Sequence, residues 1–327
     1  MIASLALALV PAPSFALRLA TFHADLSRKG PGLLLRDILA SENGVDCAAK
    51  AIARARPDVI TLTKFDYDFA GQNLTALARS MSAYDHILPH HYSALGNAGW
   101  PSDHDLNGDG RILLPDDGFS YGWFPGEGGM AVLSRWPLTL HADLSGLVWQ
   151  GFPNAQVLSG ELSASLPLST NGHWVVQVAA PTPFDLLVFH ATAPVFDGPE
   201  DLNGRRNHDE IMLWARYLAG DLSVRPSGRP VAVAGNANLD PDRGEGRRDA
   251  IATLLANPAL QDPRPIGALG PATADWPSGP GALRVSYVLP PAEATVQAAG
   301  VADVPKGCDM THRLVWVDFT LPRPLPP

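Results

Sequence analysis

Two cysteines, Cys47 and Cys308, are all that the 327 residues contain. This excludes a disulfide-framed miniprotein and a cysteine-rich zinc module. Basic residues are also scarce. The chain has 24 Lys and Arg against 33 Asp and Glu, a net charge of −9. A broad nucleic-acid-binding face needs the opposite balance, although a local basic pocket remains compatible with it. Long apolar runs are missing too. The run from Ile2 to Val10 falls far short of the roughly 20 residues of a membrane span, and no other stretch comes closer.

What is present describes a soluble globular protein, 46% hydrophobic and 17% charged. The length suits one large domain or two and a substantial core. The 31 prolines and 30 glycines imply many ordered turns and long loops. Residues 1 to 16 carry no charge, and Ser14-Phe15-Ala16 places small residues where a signal peptidase would cut. A basic start is absent, but the pattern leads us to expect a signal peptide and export to the periplasm or beyond. The alternative is a hydrophobic first strand. In an exported chain Cys47 and Cys308 can form a disulfide; two unrelated buried thiols are the other reading.

The most informative stretch runs from Leu186 to Leu218, LLVFHATAPVFDGPEDLNGRRNHDEIMLWARYL. An apolar strand, Leu186 to Phe189, delivers His190 to a proline-containing loop. A helix is expected to open over Arg205 to Glu210, with apolar Ile211, Leu213, Trp214 and Leu218 following at helical spacing. Side chains at the carboxyl end of a strand, on a long loop, are where α/β enzymes place their chemistry. Asn207 and His208, with Asp209 and Glu210, would then sit at a helix start, where free N–H groups favour anions. Dipole compensation by the acidic pair and a packing role for His208 are the plainer alternatives.

That stretch resembles the endonuclease/exonuclease/phosphatase superfamily, in particular a bacterial branch with the pattern PVFDGPEDxNGRRNHDE. Segments LRLATFH, ITLTKFDYD, GMAVLSRWPL, PVAVAGNANLD, LRVSYVLPP and THRLVW match in order. The resemblance covers most of residues 17 to 320. It implies one domain over 17 to 322, a four-layer α/β sandwich of two packed, mainly antiparallel sheets flanked by helices. It also implies metal-dependent phosphoester hydrolysis with Mg²⁺.

Several positions depart from the family pattern. His23 stands where the family has Asn, Lys64 where it has the principal metal-binding Glu, and Asn236 where it has the general base. Ser286 and Thr311 replace two further Asp residues. A charged ammonium has no lone pair for a metal, and an amide cannot take a proton at neutral pH. His190, Asn238 and His312 are retained at positions that contact phosphate in the family. Asp66, Asp68 and Asp240 lie nearby as potential substitute oxygens, or as solvated loop carboxylates.

Three readings follow. The leading one is an impaired or inactive family member whose basic pocket of Lys64, His23, His190 and His312 binds a phosphate-like or carboxylate ligand, or a protein partner. The second is a hydrolase that binds Zn²⁺ through His23, His190 and His312. The third rests on Asp105, Asn107, Asp109, Arg111 and Asp116, which match the oxygen spacing of an EF-hand loop with Gly110 at the turn. It makes the protein an exported module stabilised by structural Ca²⁺; a metal-free Asp/Gly turn is the alternative.

Overall fold

A computed structural model describes residues 16–106, 108–157 and 165–322. The strands and helices are β1 (Ala16–Leu26), α1 (Leu33–Leu39), α2 (Asn43–Ala55), β2 (Val59–Phe65), α3 (Gln72–Ser82), β3 (His90–Tyr92), β4 (Met130–Ser134), β5 (Leu138–Asp143) and β6 (His173–Val178). They continue with β7 (Phe184–His190), α4 (Leu202–Ala219), β8 (Val231–Asn236), α5 (Asp249–Leu255), β9 (Ala274–Trp276), β10 (Gly281–Leu283), β11 (Ser286–Leu289), β12 (Thr295–Val301) and β13 (Val315–Thr320).

One sheet has six strands in the order β12-β13-β1-β2-β4-β3, and another has five in the order β11-β8-β7-β6-β5. Only β1–β2 and β7–β8 pair in parallel within them; the other pairings are antiparallel. Alternation along the strands explains the layering. Leu19, Val59, Met130 and Val132 of the first sheet meet Val176, Leu186, Val188 and Ala234 of the second in one apolar core. The opposite face of the first sheet, through Phe22, Ile60 and Leu62, packs on Ala48 and Ile52 of α2 and Leu77 of α3. The outer face of the second, through Leu187 and Val233, packs on Ile211 and Trp214 of α4 and Ile251 of α5. The result is the expected helix–sheet–sheet–helix sandwich.

Several local expectations change. The matched segment LRVSYVLPP holds the end of β10 and all of β11, with Arg284 and Val285 between them. Helix α4 begins at Leu202, earlier than expected, so Asn207 to Glu210 lie beyond its first turn. All of the expected leader except Ala16 lies outside the described residues. Ala16 pairs with Thr320 at the start of β1. Cys47 and Cys308 are joined in a disulfide, with 5.7 Å between their Cα atoms. Among the described residues no helix is long and apolar enough to cross a membrane.

Candidate functional site

The site forms where the carboxyl ends of β1, β2, β7 and β8 come together. Parallel pairing aligns His23 with Thr63 and His190 with Asn236, and antiparallel pairing puts Ser286 beside Asn236. His312 arrives on the loop before β13 and bridges Ala274 of β9. A bond between Asn236 Nδ2 and His23 Nδ1, 2.8 Å long, ties the two sheets together.

Lys64 sits at a break in the β1–β2 ladder with φ 57°. A left-handed backbone costs a non-glycine residue free energy and tends to mark functional positions. Gly128, itself at φ 60°, leaves the room that the lysine stem occupies; a Cβ there would stand 3.3 Å from Lys64 Nζ. Among the described residues Lys64 forms no ion pair and no hydrogen bond through its ammonium. Asp66, two residues on, and Glu127 lie within electrostatic reach of Lys64 but form no close ion pair with it. Asp66 is buried, and its oxygens accept the Gly128 and Arg28 N–H groups.

The imidazoles are neutral, which corrects the expectation of a basic cluster of four. Burial, then the nearby Lys64 and His312, lowers His190 to about 3. Burial, then Arg313, lowers His312 to about 4. Burial, with His312, His190 and Lys64 adding to it, holds His23 well below the ordinary histidine value. Among these four side chains the formal cation is Lys64, with the carboxyl groups of Asp66 and Glu127 in its neighbourhood. The Asn236 amide orientation follows from its Oδ1 accepting Asn238 N–H at 2.9 Å. Its Nδ2 then donates to His23 Nδ1, leaving the His23 proton on Nε2.

His190 Nδ1 meets Asn171 Nδ2 at 3.1 Å, and the ring also bonds the Gly128 backbone. His312 lies over His23 with ring centroids 4.0 Å apart and meets Trp276 edge-on at 5.2 Å. His312 Nδ1 and Ser286 Oγ are both buried with no protein partner. Asn238, at φ 51°, donates its side-chain amide to Ala191 O. Thr311 is exposed, and only its backbone is held, by Asp275 N–H.

Other expected site residues have structural roles. Asn207 is buried and donates to Thr192 O and Ala237 O, fastening the loops after β7 and β8. Position in α4 removes it from any anion site at a helix start. His208 meets Asp209, Gln156 and Asp249. Asp209 accepts from Trp149 Nε1 and Gln156 N–H, and Glu210 accepts from Thr170 and Thr192 N–H. The acidic pair thus anchors loops and does not compensate a dipole. Asp68 accepts the first N–H groups of α3, and Asp240 accepts Asp242, Arg243 and Arg284 N–H. Neither is free to act as the missing base.

The positions that the resemblance aligns with metal-binding acids hold an ammonium, an amide, a buried hydroxyl and an exposed threonine, a donor set that does not fit a hard divalent cation. Among the described residues no group of three or more His, Cys, Asp or Glu is arranged to hold a metal. The histidines also point their bonded nitrogens at Thr63, Asn236 and Asn171. In the loop from Asp105, that residue accepts Gly108, Asp109 and Gly110 N–H, and Asp109 accepts Arg111 N–H. Asn107 lies outside the described residues. Asp116 is exposed, whereas its neighbour Asp117 is buried and accepts Leu106 and Leu113 N–H.

Sequence reasoning missed Thr63, Gly128, Asn171 and Trp276. Thr63 carried a signal, since it precedes Lys64 in a strand whose end was recognised. Asn171 and Gly128 enter from distant loops and left none.

Comparison with known proteins agrees with this fold. No curated protein sequence matches the chain. Among solved structures, an endonuclease/exonuclease/phosphatase from Beutenbergia cavernae superposes with TM-score 0.60 at 18% identity, covering 94% of this chain and 72% of that one. A family protein from Bacteroides thetaiotaomicron gives 0.54 at 10% identity, with 95% and 100% covered. A mannosyl-6-phosphatase from the same species gives 0.51 at 12%, with 93% and 100% covered. These likenesses show the fold. The profile of the Endonuclease/Exonuclease/phosphatase family matches residues 32–307, and the chain belongs to that family.

Proposed function

We propose that this protein is a family member without divalent-metal hydrolysis, which binds a phosphate-like anion at the Lys64 pocket. One observation carries the reading: a half-buried ammonium, with only the buried carboxylates of Asp66 and Glu127 in its field, makes no hydrogen bond or close ion pair among the described residues, at the position that the resemblance aligns with a metal-binding carboxylate. At ~4 Å and an effective dielectric of ~20, opposite unit charges attract by about 4 kcal/mol. Exposure of the lysine to solvent reduces this, and about 1.5 to 3 kcal/mol is typical of a hydrogen bond to a charged group. In the binding mode we propose, Lys64 supplies the charge, His23 Nε2–H a neutral donor, and the neutral His190 and His312 a snug wall. The family's general base has no replacement, so bound phosphate esters are retained and not cleaved.

The test is calorimetric titration with inorganic phosphate in EDTA, for the wild type and Lys64→Met. The expected result is metal-free binding that weakens at least about tenfold in the variant, equivalent to about 1.4 kcal/mol. Metal-dependent hydrolysis of p-nitrophenyl phosphate or its diester, or equal binding by both proteins, would overturn the proposal.

A further inference from the structure

The loop from residue 302 to 314 carries His312 into the site, and its attachment to the rest of the fold is uneven. Its ends are well held. Ala302 N–H donates to Leu314 O, Arg313 N–H to Thr273 O, and Asp275 N–H to Thr311 O. Its middle is not. Among the described residues, the hydrogen bonds of 303 to 310 stay within the loop: Cys308 N–H to Pro305 O, and Arg313 Nη1 to Met310 O. What joins the middle to the sandwich is the Cys47–Cys308 disulfide and the packing of a few side chains. A void of about 10 Å³ lies beneath it, lined by Phe22, Ala51, Val304, Met310 and His312 among others.

The two ends of the bond differ. Cys47 is buried on α2, a helix embedded in the core through Ala48, Ala49 and Ile52. Cys308 is partly exposed, between exposed Gly307 and Asp309. A rigid anchor is thus tied to a partly exposed residue of the loop. His312 follows Cys308 by four residues. Its Nδ1 has no protein partner, so its ring is held by backbone bridging to Ala274 and by contact with His23 and Trp276. That hold depends on where the loop lies.

We infer that the Cys47–Cys308 disulfide is a redox-reversible latch that positions His312 in the Lys64 pocket. Attack by a dithiol reductant on the sulfur of the partly exposed Cys308 breaks the S–S bond through a mixed disulfide. The reductant's second thiol then closes on the first. Two protein thiols and one oxidised dithiol result, so two electrons and two protons move to the protein. The freed segment 303 to 310 can then lift over its void, and His312 loses its fixed place above His23. Cys47 and Cys308 act as positioning residues. The consequence for ligand binding rests on the anion-binding reading above; the movement of His312 does not.

The experiment compares oxidised, dithiothreitol-reduced and reoxidised protein, together with the double variant Cys47→Ser/Cys308→Ser. Hydrogen exchange of residues 303–312, the His312 imidazole NMR signals and a phosphate titration are read on each. Far-ultraviolet circular dichroism reports whether the sandwich stays folded. The expected outcome is faster exchange confined to the loop, shifted His312 signals and phosphate binding weakened about tenfold, all restored on reoxidation. Unchanged His312 signals after complete reduction would overturn the latch. So would global loss of structure, since the bond would then be a staple for the whole fold. Shifted His312 signals with no phosphate binding in either form would sustain the latch and remove the anion-binding reading.

Discussion

Lowering the pH from 6.5 should destabilise this protein well before its ordinary, solvated carboxylates protonate. His190 is lowered to about 3, and His312 and His173 to about 4, each mainly by burial, from an ordinary 6.5. Below pH 6.5 the unfolded chain takes up these protons and the folded chain does not. Stability from each histidine is therefore full above 6.5 and falls as pH drops toward the folded value. Glu210 acts in the opposite sense. Burial raises it to about 7 from an ordinary 4.5, so its contribution is full at low pH and is lost as pH rises through 7. Each tenfold change in proton affinity between the folded and unfolded chain is worth about 1.4 kcal/mol, so three histidines outweigh one glutamate. From these four groups the net loss is about 2 kcal/mol from pH 6.5 to 5.5 and about 4 to 5 kcal/mol by pH 4.5, and His23, also lowered by burial, adds to it in the same sense. Urea unfolding at these pH values measures it directly. His312→Gln should remove about 1 kcal/mol of the first loss. Equal unfolding free energies at pH 6.5 and 5.5 would refute the claim that these imidazoles are buried neutral.

Three further outcomes are expected. The quadruple variant Lys64→Glu/Asn236→Asp/Ser286→Asp/Thr311→Asp should gain Mg²⁺- or Mn²⁺-dependent hydrolysis of p-nitrophenyl phosphate where the wild type is silent. Silence in both would show that the exposed position of Thr311 leaves the metal cage open. Calcium should raise the melting temperature of the wild type by a few degrees if the loop from Asp105 is a binding site, and Asp105→Ala should abolish the response; no response in the wild type ends that proposal. Asn207→Leu removes two buried amide bonds to Thr192 O and Ala237 O. It should cost about 2 to 4 kcal/mol in chemical denaturation, since both carbonyls are left without a donor. A loss under about 0.5 kcal/mol would show that water replaces the amide.

Residue types and their order were enough to expect the sandwich and the identity of the pocket residues. Apolar strands ending in His23, Lys64, His190 and Asn236 are visible in the chain because strand periodicity and strand ends are local. The expectation that Lys64 stands where relatives carry a carboxylate is equally local, and so is what an ammonium would mean for a hard cation. The start of α4 was misplaced because Asp201 to Asn203 look like loop, whereas apolar packing of the later turns pulls the helix back to Leu202. Only the tertiary structure decided the charge of the pocket. Whether an imidazole is protonated depends on what surrounds it, and His190 and His312 are neutral because distant segments exclude water from them. The same holds for Asp66 and Asp240, whose oxygens are taken by backbone N–H groups far away in sequence. The disulfide belongs there as well. Two cysteines permit a bond, but only folding brings residues 47 and 308, 261 positions apart, within reach.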